Sequence, residues 1–204
     1  MNKQSTNLIK LERKIKKELD DDRFRHTLGV MYTAAALAMR YDVDLETTQL
    51  AGLLHDCAKC IPNDRKLKLC EKYELDVSDI ERRNPSLLHA KLGACLASEK
   101  YGVTDQAVLS AIRWHTTGKP AMSVLDKIIF LADYIEPGRW KAEDLQIIRK
   151  AAFTDLDLAV YLTLRNTLEY LQKGRADIDH MTNEAYSYYA NLEEDVKQKE
   201  GARV

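Results

Sequence analysis

Apolar residues recur at every third or fourth position along most of the chain. In the first segment they are Leu8, Leu11, Ile15 and Leu19, with lysine and glutamate between them. This spacing gives a helix one apolar stripe and turns its polar residues toward solvent. No stretch alternates apolar and polar residues at every second position, as a half-buried strand does. The pattern therefore predicts an all-α fold.

Start and stop signals divide the chain into about eight to ten helices. The acidic run 20–22 separates the first helix from a second one, at about 23–40, in which alanines favour close packing. We expect N-caps at Asp44, Thr104, Ser123 and Thr182, because short polar side chains accept hydrogen bonds from free helical N–H groups. The third helix should run from Leu45 to about residue 57 and a later one from 154 to 172, with a single helical turn at 78–83. We expect Gly174 to end a helix.

A chain of 204 residues fits one bundle with short additions at its ends. We predict an N-terminal amphipathic helix within 1–22 that packs on the bundle, a main domain at 23–193, and a charged tail at 194–204. The chain shows neither an internal repeat nor a low-complexity linker. One helical domain is therefore the simplest organisation.

Composition excludes some partners. The formal net charge is −1, so no overall basic field favours nucleic acid or an anionic membrane. The longest apolar run, about residues 30–39, is roughly half of what a bilayer-spanning helix needs. The N-terminus lacks the apolar core of a secretion signal. We expect a cytoplasmic protein that holds any anionic ligand in a local site, and the sequence leaves a homodimer open.

The four cysteines include a C-x-x-C spacing at Cys57 and Cys60. A zinc knuckle needs a second close pair, which Cys70 and Cys95 do not form. A thioredoxin-like motif needs a βαβ context, which the helical pattern does not provide. We expect reduced thiols on a helical segment, and we keep a redox or zinc protein as a minor alternative.

Histidines and aspartates supply the candidate chemistry. His26, His55, His89 and His115 each lie near a predicted helix end, and Asp56 directly follows His55. A single core histidine is most often only a hydrogen-bonded polar group. Four of them, together with Asp56 and Asp133, favour a common cause, because helical bundles build metal sites from inward side chains on facing helices.

Four local strings carry a resemblance. They are Arg23-Phe24-Arg25-His26-Thr27-Leu28-Gly29-Val30, Leu53-Leu54-His55-Asp56-Cys57-Ala58-Lys59, His115-Thr116-Thr117-Gly118, and Ala132-Asp133-Tyr134-Ile135-Glu136-Pro137-Gly138-Arg139. The order of histidines and aspartates resembles the HD-domain superfamily of metal-dependent phosphohydrolases. Together the strings are similar to its YqeK-like branch, the symmetrical diadenosine tetraphosphate hydrolases. The likeness covers about residues 23–186, and the last two strings are its most specific part.

The resemblance implies roles for individual residues. It implies metal ligation by His26, His55, Asp56 and Asp133, with iron first and manganese, cobalt or zinc as alternatives, and with one or two ions. Asp56, His89 and His115 would be catalytic, and His89 and His115 would face substrate phosphates or complete a second metal site bridged by Asp56. We add Lys59 to the catalytic residues from its spacing to Asp56, not from the resemblance. It implies nucleotide contacts by Arg23, Phe24, Arg25, His26, His89, His115, Thr116, Arg139, Ala176, Asp177, Ile178, Asp179, His180 and Met181. The family commonly has proline where this chain has Met181.

The implied reaction is hydrolysis of diadenosine tetraphosphate at the central bridge, giving two ADP, with water and no protein nucleophile. Lys59, about one helical turn beyond Asp56, and Arg139, past a Pro-Gly turn, are cations suited to phosphate. Two alternatives stay open: an HD-type phosphohydrolase of another nucleotide, such as an alarmone or a deoxynucleotide, and a nucleotide-binding regulatory domain that has lost catalysis.

Overall fold

The computed structural model describes residues 3–201. Within this range it contains eleven α-helices, one short 3₁₀-helix at Pro85–Leu87, and no strand. The helices are Lys3–Ile15 (α1), Asp21–Tyr41 (α2), Leu45–Leu54 (α3), Asn63–Lys72 (α4), Asp79–Arg83 (α5), Leu88–Glu99 (α6), Gln106–Trp114 (α7), Val124–Ile135 (α8), Leu145–Ala152 (α9), Leu156–Lys173 (α10) and His180–Gly201 (α11). The all-α prediction is confirmed.

The described helices number one more than the predicted range of eight to ten. The single turn expected at 78–83 forms a separate short helix, α5, with a complete cap of its own. The Ser78 hydroxyl accepts from the Glu81 N–H at 3.3 Å, and the Glu81 carboxylate accepts from the Ser78 N–H at 2.8 Å. This reciprocal pair satisfies two N–H groups that a helix start leaves free.

Two of the four predicted N-caps are confirmed and two are wrong. Asp44 and Ser123 accept hydrogen bonds from the N–H groups of Thr47 and Asp126. In place of Thr104, Asp105 caps α7 by accepting from the Ala107 N–H at 2.8 Å. In place of Thr182, Asp179 precedes α11 and accepts from the Met181 N–H at 2.9 Å. Where threonine and aspartate compete near a helix start, aspartate is the stronger cap.

The core lies between the long helix α2 and the helices that pack against it, α3 and α8. Leu53, Leu54 and Ile129 are fully buried there. A Cβ atom on Gly52 would lie 2.9 Å from the Met31 Cα atom, closer than real contacts allow. Glycine is therefore required where α3 crosses α2, which agrees with the close packing expected of the alanine-rich second helix.

The first and last described helices both contribute buried residues to the core. Ile15 of α1 is fully buried, and α1 packs against α3. Helix α11 runs on through residue 194 to Gly201. Within residues 3–201, no helix combines the length and the apolar character needed to cross a membrane.

Candidate metal centre

Five helix ends meet at one place in the bundle. His26 lies in the second turn of α2, and His55 and Asp56 directly follow α3. His89 lies at the start of α6, His115 directly follows α7, and Asp133 lies in the last turn of α8. Helix ends bring together side chains from distant parts of the sequence while the helix bodies fill the core.

Asp56 lies at the centre and is 2% exposed. Its Oδ2 atom is 3.4 Å from His55 Nε2 and 3.9 Å from His26 Nε2. Its Oδ1 atom is 3.3 Å from His89 Nε2 and 3.6 Å from His115 Nε2. One carboxylate therefore faces two pairs of histidines, one pair on each oxygen.

Two groups of atoms that could hold a metal ion result, and Asp56 belongs to both. The ligand atoms of His26, His55 and Asp56 all lie within 4.8 Å of one another, and so do those of Asp56, His89 and His115. Asp133 joins the first group through its Oδ1 atom, 2.9 Å from His26 Nε2. The six residues that the sequence singled out are thus brought together.

Three of the imidazoles are oriented by backbone carbonyl oxygens. The Nδ1 atoms of His55, His89 and His115 lie 2.7, 2.6 and 2.7 Å from the carbonyl oxygens of Gly52, Ser86 and Ile112. A carbonyl oxygen can only accept, so Nδ1 carries the proton and a neutral ring keeps its lone pair on Nε2. All three Nε2 atoms face Asp56. This is the tautomer that a metal-ligating histidine needs.

His26 is oriented differently. Its Nδ1 atom lies 3.1 Å from the Glu136 Oε1 atom, and Glu136 is itself buried. Glu136 belongs to the string at 132–139 that carries the resemblance, but the sequence analysis predicted no role for it. The available signal was its position, three residues beyond Asp133 and therefore about one helical turn away.

Unsatisfied polar atoms test whether this donor set suits a cation. Among the described residues, the buried Nε2 atoms of His26 and His55 and the Oδ1 atom of Asp56 have no hydrogen-bond partner. A buried polar atom without a partner costs about 1–3 kcal/mol, so such atoms indicate a missing ligand or a functional site. Imidazole nitrogen and carboxylate oxygen suit iron, manganese, cobalt and zinc. The residues present therefore fit a divalent metal.

The charges of the ligands favour the same conclusion. Burial opposes ionisation of Asp56, but the nearby His55 and His115 rings hold the pKa of its carboxyl well below the usual value. At Asp133, burial also opposes ionisation, and the neighbouring His26, His55 and His115 rings outweigh it and lower the pKa. Burial, with His115 and the Lys59 cation nearby, lowers the pKa of His89 well below its usual value. The site thus offers two carboxylates and a neutral His89 at pH 7.

Three cations border the cluster. Arg23 Nη1 is 2.8 Å from Asp56 Oδ2, and Arg139 Nη2 is 2.8 Å from Asp133 Oδ1. Lys59 Nζ is 3.1 Å from His89 Nε2. The three side chains are partly exposed, so they lie where the cluster opens toward solvent. Each is placed to meet an anion that approaches the cluster.

Thr116 lies beside the second histidine pair. Its Oγ1 atom is 3.2 Å from His89 Nε2 and 3.1 Å from His115 Nε2. The structure therefore brings Arg23, Thr116 and Arg139, all expected nucleotide contacts, to the cluster.

The structure places two other expected nucleotide contacts away from the cluster. Phe24 is buried in the core, with the Lys16 ammonium 5.7 Å from its ring centroid. Arg25 is 81% exposed and contacts Asp22. Residues three apart share a helix face, so Arg23 and His26 point to the cluster while the residues between them point elsewhere.

The last three residues of the segment 176–181 line a neighbouring pocket. Asp179, His180 and Met181 line a cavity of about 230 Å³ together with Trp114 and Thr117. Its wall also includes Leu87, two residues before His89 in the sequence, and Ala90, the residue directly after it. None of the four clustered histidines lines this pocket. The pocket is next to the cluster because residues close in sequence to His89 and His115 form part of its wall.

Sequence reasoning also missed Arg149. From α9 its guanidinium donates to the carbonyl oxygens of Ile135 and Glu136, at 2.9 and 3.0 Å, and to that of Arg139 at 2.9 Å. These three bonds hold the turn that follows α8, and this turn carries Glu136 and Arg139. No local signal identifies such a residue, because its partners lie at the end of another helix and in the turn after it.

The cysteines take no part in the cluster. Cys57 is buried, with Sγ 3.5 Å from the Gly93 carbonyl oxygen, whereas Cys60 is exposed. Burial raises the pKa of the Cys57 thiol. In the described part of the chain, neither metal-binding group contains a cysteine. Nothing in this geometry favours the redox or zinc alternative.

Comparisons with known proteins agree with the geometry. The family model described as HD domain matches residues 23–138, which include all six clustered residues. The chain is 42% identical to the symmetrical bis(5'-nucleosyl)-tetraphosphatase of Halalkalibacterium halodurans, over 80% of this chain and 87% of the relative. It is 34% identical to the protein of the same name from Staphylococcus aureus, over 94% and 98%.

A solved structure is also similar. It is a Clostridium acetobutylicum protein described as a predicted HD superfamily hydrolase involved in NAD metabolism. The TM-score is 0.86 at 40% identity, over 90% of this chain and 96% of that one. At this identity and coverage, the likeness extends beyond the fold.

Proposed function

The chain belongs to the HD domain family, and its relatives include symmetrical bis(5'-nucleosyl)-tetraphosphatases. From this premise we propose that it hydrolyses diadenosine tetraphosphate at the central phosphate bridge to give two ADP. The chain is a hydrolase acting on a phosphoric anhydride bond. The observation that carries the proposal is the Asp56 carboxylate, which faces a histidine pair on each oxygen. Such a shared carboxylate suits the in-line displacement at phosphorus that this hydrolysis requires.

The metal site of the proposal consists of His26, His55, Asp56 and Asp133, with His89 and His115 able to complete a second site. We propose iron as the metal, with manganese, cobalt or zinc as alternatives, because all four accept this mixture of nitrogen and oxygen ligands. A bound ion would lower the pKa of its water toward neutrality and offset charge on the phosphates. The chain would keep the carboxylates of Asp56 and Asp133 ionised and the imidazole rings oriented.

The bordering cations have a role in binding. Diadenosine tetraphosphate carries several negative charges, and anhydride hydrolysis needs mainly positioning and charge neutralisation from the protein. The guanidinium groups of Arg23 and Arg139 can hold phosphate oxygens in a planar, two-pronged arrangement, and Lys59 adds a point charge. In the structure these groups bond to Asp56, Asp133 and His89. Substrate phosphates would therefore replace carboxylate partners at Arg23 and Arg139 and an imidazole partner at Lys59.

The remaining predicted contacts belong to the nucleoside. We propose that residues 176–181 contact one nucleotide, because Asp179 and His180 line a pocket whose other wall is formed by the chain neighbours of His89 and His115. Thr116 would contact phosphate from beside His115. The cytoplasmic location and a homodimeric state stay predictions.

Product analysis tests the proposed reaction. The purified protein, loaded with Fe²⁺ or Mn²⁺, is incubated with diadenosine tetraphosphate in ¹⁸O-labelled water. We expect ADP as the sole nucleotide product, with label on the terminal phosphate of one of every two ADP molecules. AMP and ATP as products would contradict cleavage at the central bridge.

A parallel substrate series addresses the two open alternatives. Nucleoside triphosphates, deoxynucleotides and an alarmone are compared at equal concentration. Preference for any of them over diadenosine tetraphosphate would favour another HD-type phosphohydrolase. Nucleotide binding with no turnover in the presence of metal would favour a regulatory domain.

A further inference from the structure

Glu136 has a buried carboxylate at the second ring nitrogen of His26. Its Oε1 atom is 3.1 Å from His26 Nδ1, and its Oε2 atom accepts a hydrogen bond from the Gly138 N–H at 2.5 Å. The residue is 4% exposed. No lysine or arginine side chain within the described residues pairs with this carboxylate, so its charge faces the imidazole and backbone donors.

The chain leaves room for this carboxylate on two sides. Gly29 follows His26 by three residues and so shares its face of α2. A Cβ atom at Gly29 would lie 2.5 Å from Glu136 Oε2, and one at Gly138 would lie 2.8 Å from Glu136 Oε1. Any other residue at either position would push the carboxylate from its place. Two glycines from different elements thus enclose one buried charge.

A carboxylate only accepts hydrogen bonds, so the His26 proton belongs on Nδ1. The Nε2 lone pair is then directed at the cluster, where Asp133 Oδ1 is 2.9 Å away. His55, His89 and His115 use neutral carbonyl oxygens for the same purpose. A negatively charged partner makes the ring a stronger metal ligand than a carbonyl oxygen does. His26 is therefore the imidazole that the chain has strengthened.

We propose that Glu136 is the positioning residue of the metal centre, which fixes the tautomer of His26 and raises its affinity for the ion. This role rests on the proposed metal site and deepens it. Because Glu136 also accepts from the Gly138 N–H, it connects the His26 ring to the turn that presents Arg139 beside Asp133.

The test is metal binding by the metal-free protein, with no substrate present. Mn²⁺ is titrated into the wild type and into Glu136→Gln, and free Mn²⁺ is counted by electron paramagnetic resonance. The amide keeps the size of the side chain but removes its charge. We expect the dissociation constant to rise about tenfold to a hundredfold, as for other hydrogen-bond partners of metal ligands. The control is Glu143→Gln, a largely exposed glutamate on the same loop, which should leave it unchanged.

Gly29→Ala provides a second variant that leaves Glu136 in place. Its Cβ atom displaces the carboxylate, so Mn²⁺ affinity should fall in the same direction. Gly174→Ala is the matched control, since a Cβ atom there meets nothing closer than 3.5 Å. Thermal unfolding of each metal-free variant separates lost folding from lost ligation.

The outcomes are distinct. A dissociation constant that rises in Glu136→Gln and Gly29→Ala, and not in their controls, supports the positioning role. A lower melting temperature of the metal-free protein with wild-type Mn²⁺ affinity would show that Glu136 only holds the turn, which overturns the proposal. Failure of the proposed hydrolysis would appear instead in the wild type, as metal binding without formation of ADP.

Discussion

Asp56 is the residue shared by both histidine pairs, and this sharing makes it the most sensitive position in the chain. Each of its oxygens lies within 4 Å of two imidazole nitrogens. The other carboxylate of the cluster, Asp133, contacts His26 and Arg139 and neither His89 nor His115, so it does not replace Asp56 between the two pairs. The residue that comes next to His55 in the sequence therefore connects both halves of the site.

Asp56→Ala should lose bound metal and activity together while the fold survives. The substitution removes a ligand common to both groups, so we expect turnover to fall by more than about a hundredfold. Elemental analysis, product assay and circular dichroism on one preparation give the three readouts. The control is Asp22→Ala, whose side chain is 95% exposed and should change none of them. Turnover retained at normal metal content would contradict the assignment.

The cysteine pair beside Asp56 gives an opposite prediction. Cys57→Ala/Cys60→Ala should keep the metal content of the wild type, because the Cys57 thiol lies at the Gly93 carbonyl and the exposed Cys60 thiol lies at Asp20, outside the cluster. We expect only a stability loss of about 1 kcal/mol from the space left by the buried thiol. Metal analysis and urea unfolding measure the two effects. A metal content that falls with the thiols would favour the redox or zinc alternative.

At the scale of helices, the period of apolar residues was enough to predict the fold class and most helix positions. It failed where two capping residues compete, as at Thr104 and Asp105, because only the local geometry decides which side chain reaches the free N–H groups. The six clustered residues were found because histidine at helix ends is an unusual pattern. Glu136 and Arg149 were missed because their partners belong to distant or separate elements: His26 lies on α2, 110 positions from Glu136, and the partners of Arg149 lie at the end of α8 and in the turn after it.

Helix α9 holds the end of α8 through Arg149. Arg149→Ala removes three hydrogen bonds to backbone carbonyls and should lower the free energy of unfolding by about 1–3 kcal/mol. Urea unfolding measures the change. Lys150→Ala, an exposed neighbour on the same helix, is the matched control. Equal effects of the two substitutions would show that the turn after α8 is held by other contacts.

The start of α11 should serve the nucleotide rather than the metal. His180→Ala removes an exposed side chain that lines the neighbouring pocket. We expect the Kd for ADP to rise about fivefold, the loss of one hydrogen bond of about 1 kcal/mol, while the metal content stays unchanged. Calorimetric titration with ADP and elemental analysis check the two parts. Metal lost from this variant would place the segment closer to the ion than its pocket indicates.

At the scale of the whole molecule, one buried and two partly buried tyrosines limit stability at high pH. Burial raises the pKa of Tyr189, whose hydroxyl accepts a hydrogen bond from the Met122 N–H. Burial also raises the pKa values of Tyr101 and Tyr134. Their stabilisation is complete below the unfolded tyrosine value of about 10 and is lost as the pH rises further, because only the unfolded chain ionises easily.

Tyr189→Phe should therefore flatten the decline of stability above pH 10, by up to about 1.4 kcal/mol per pH unit. Urea unfolding at a series of pH values from 8 to 11 gives the slope. Tyr170→Phe changes an exposed tyrosine and should leave the slope as it is in the wild type. An unchanged slope in Tyr189→Phe would mean that this hydroxyl ionises as easily in the folded chain as in the unfolded one.

The central claim is that the meeting of four histidines and two aspartates binds the metal on which hydrolysis of diadenosine tetraphosphate depends. Its most direct test follows metal binding and ADP formation together while Mn²⁺ or Fe²⁺ is added back to metal-free protein. The account predicts no turnover without metal, and ADP formation that rises in proportion to the occupied sites. Turnover by the metal-free protein, or full occupancy without ADP, would contradict it.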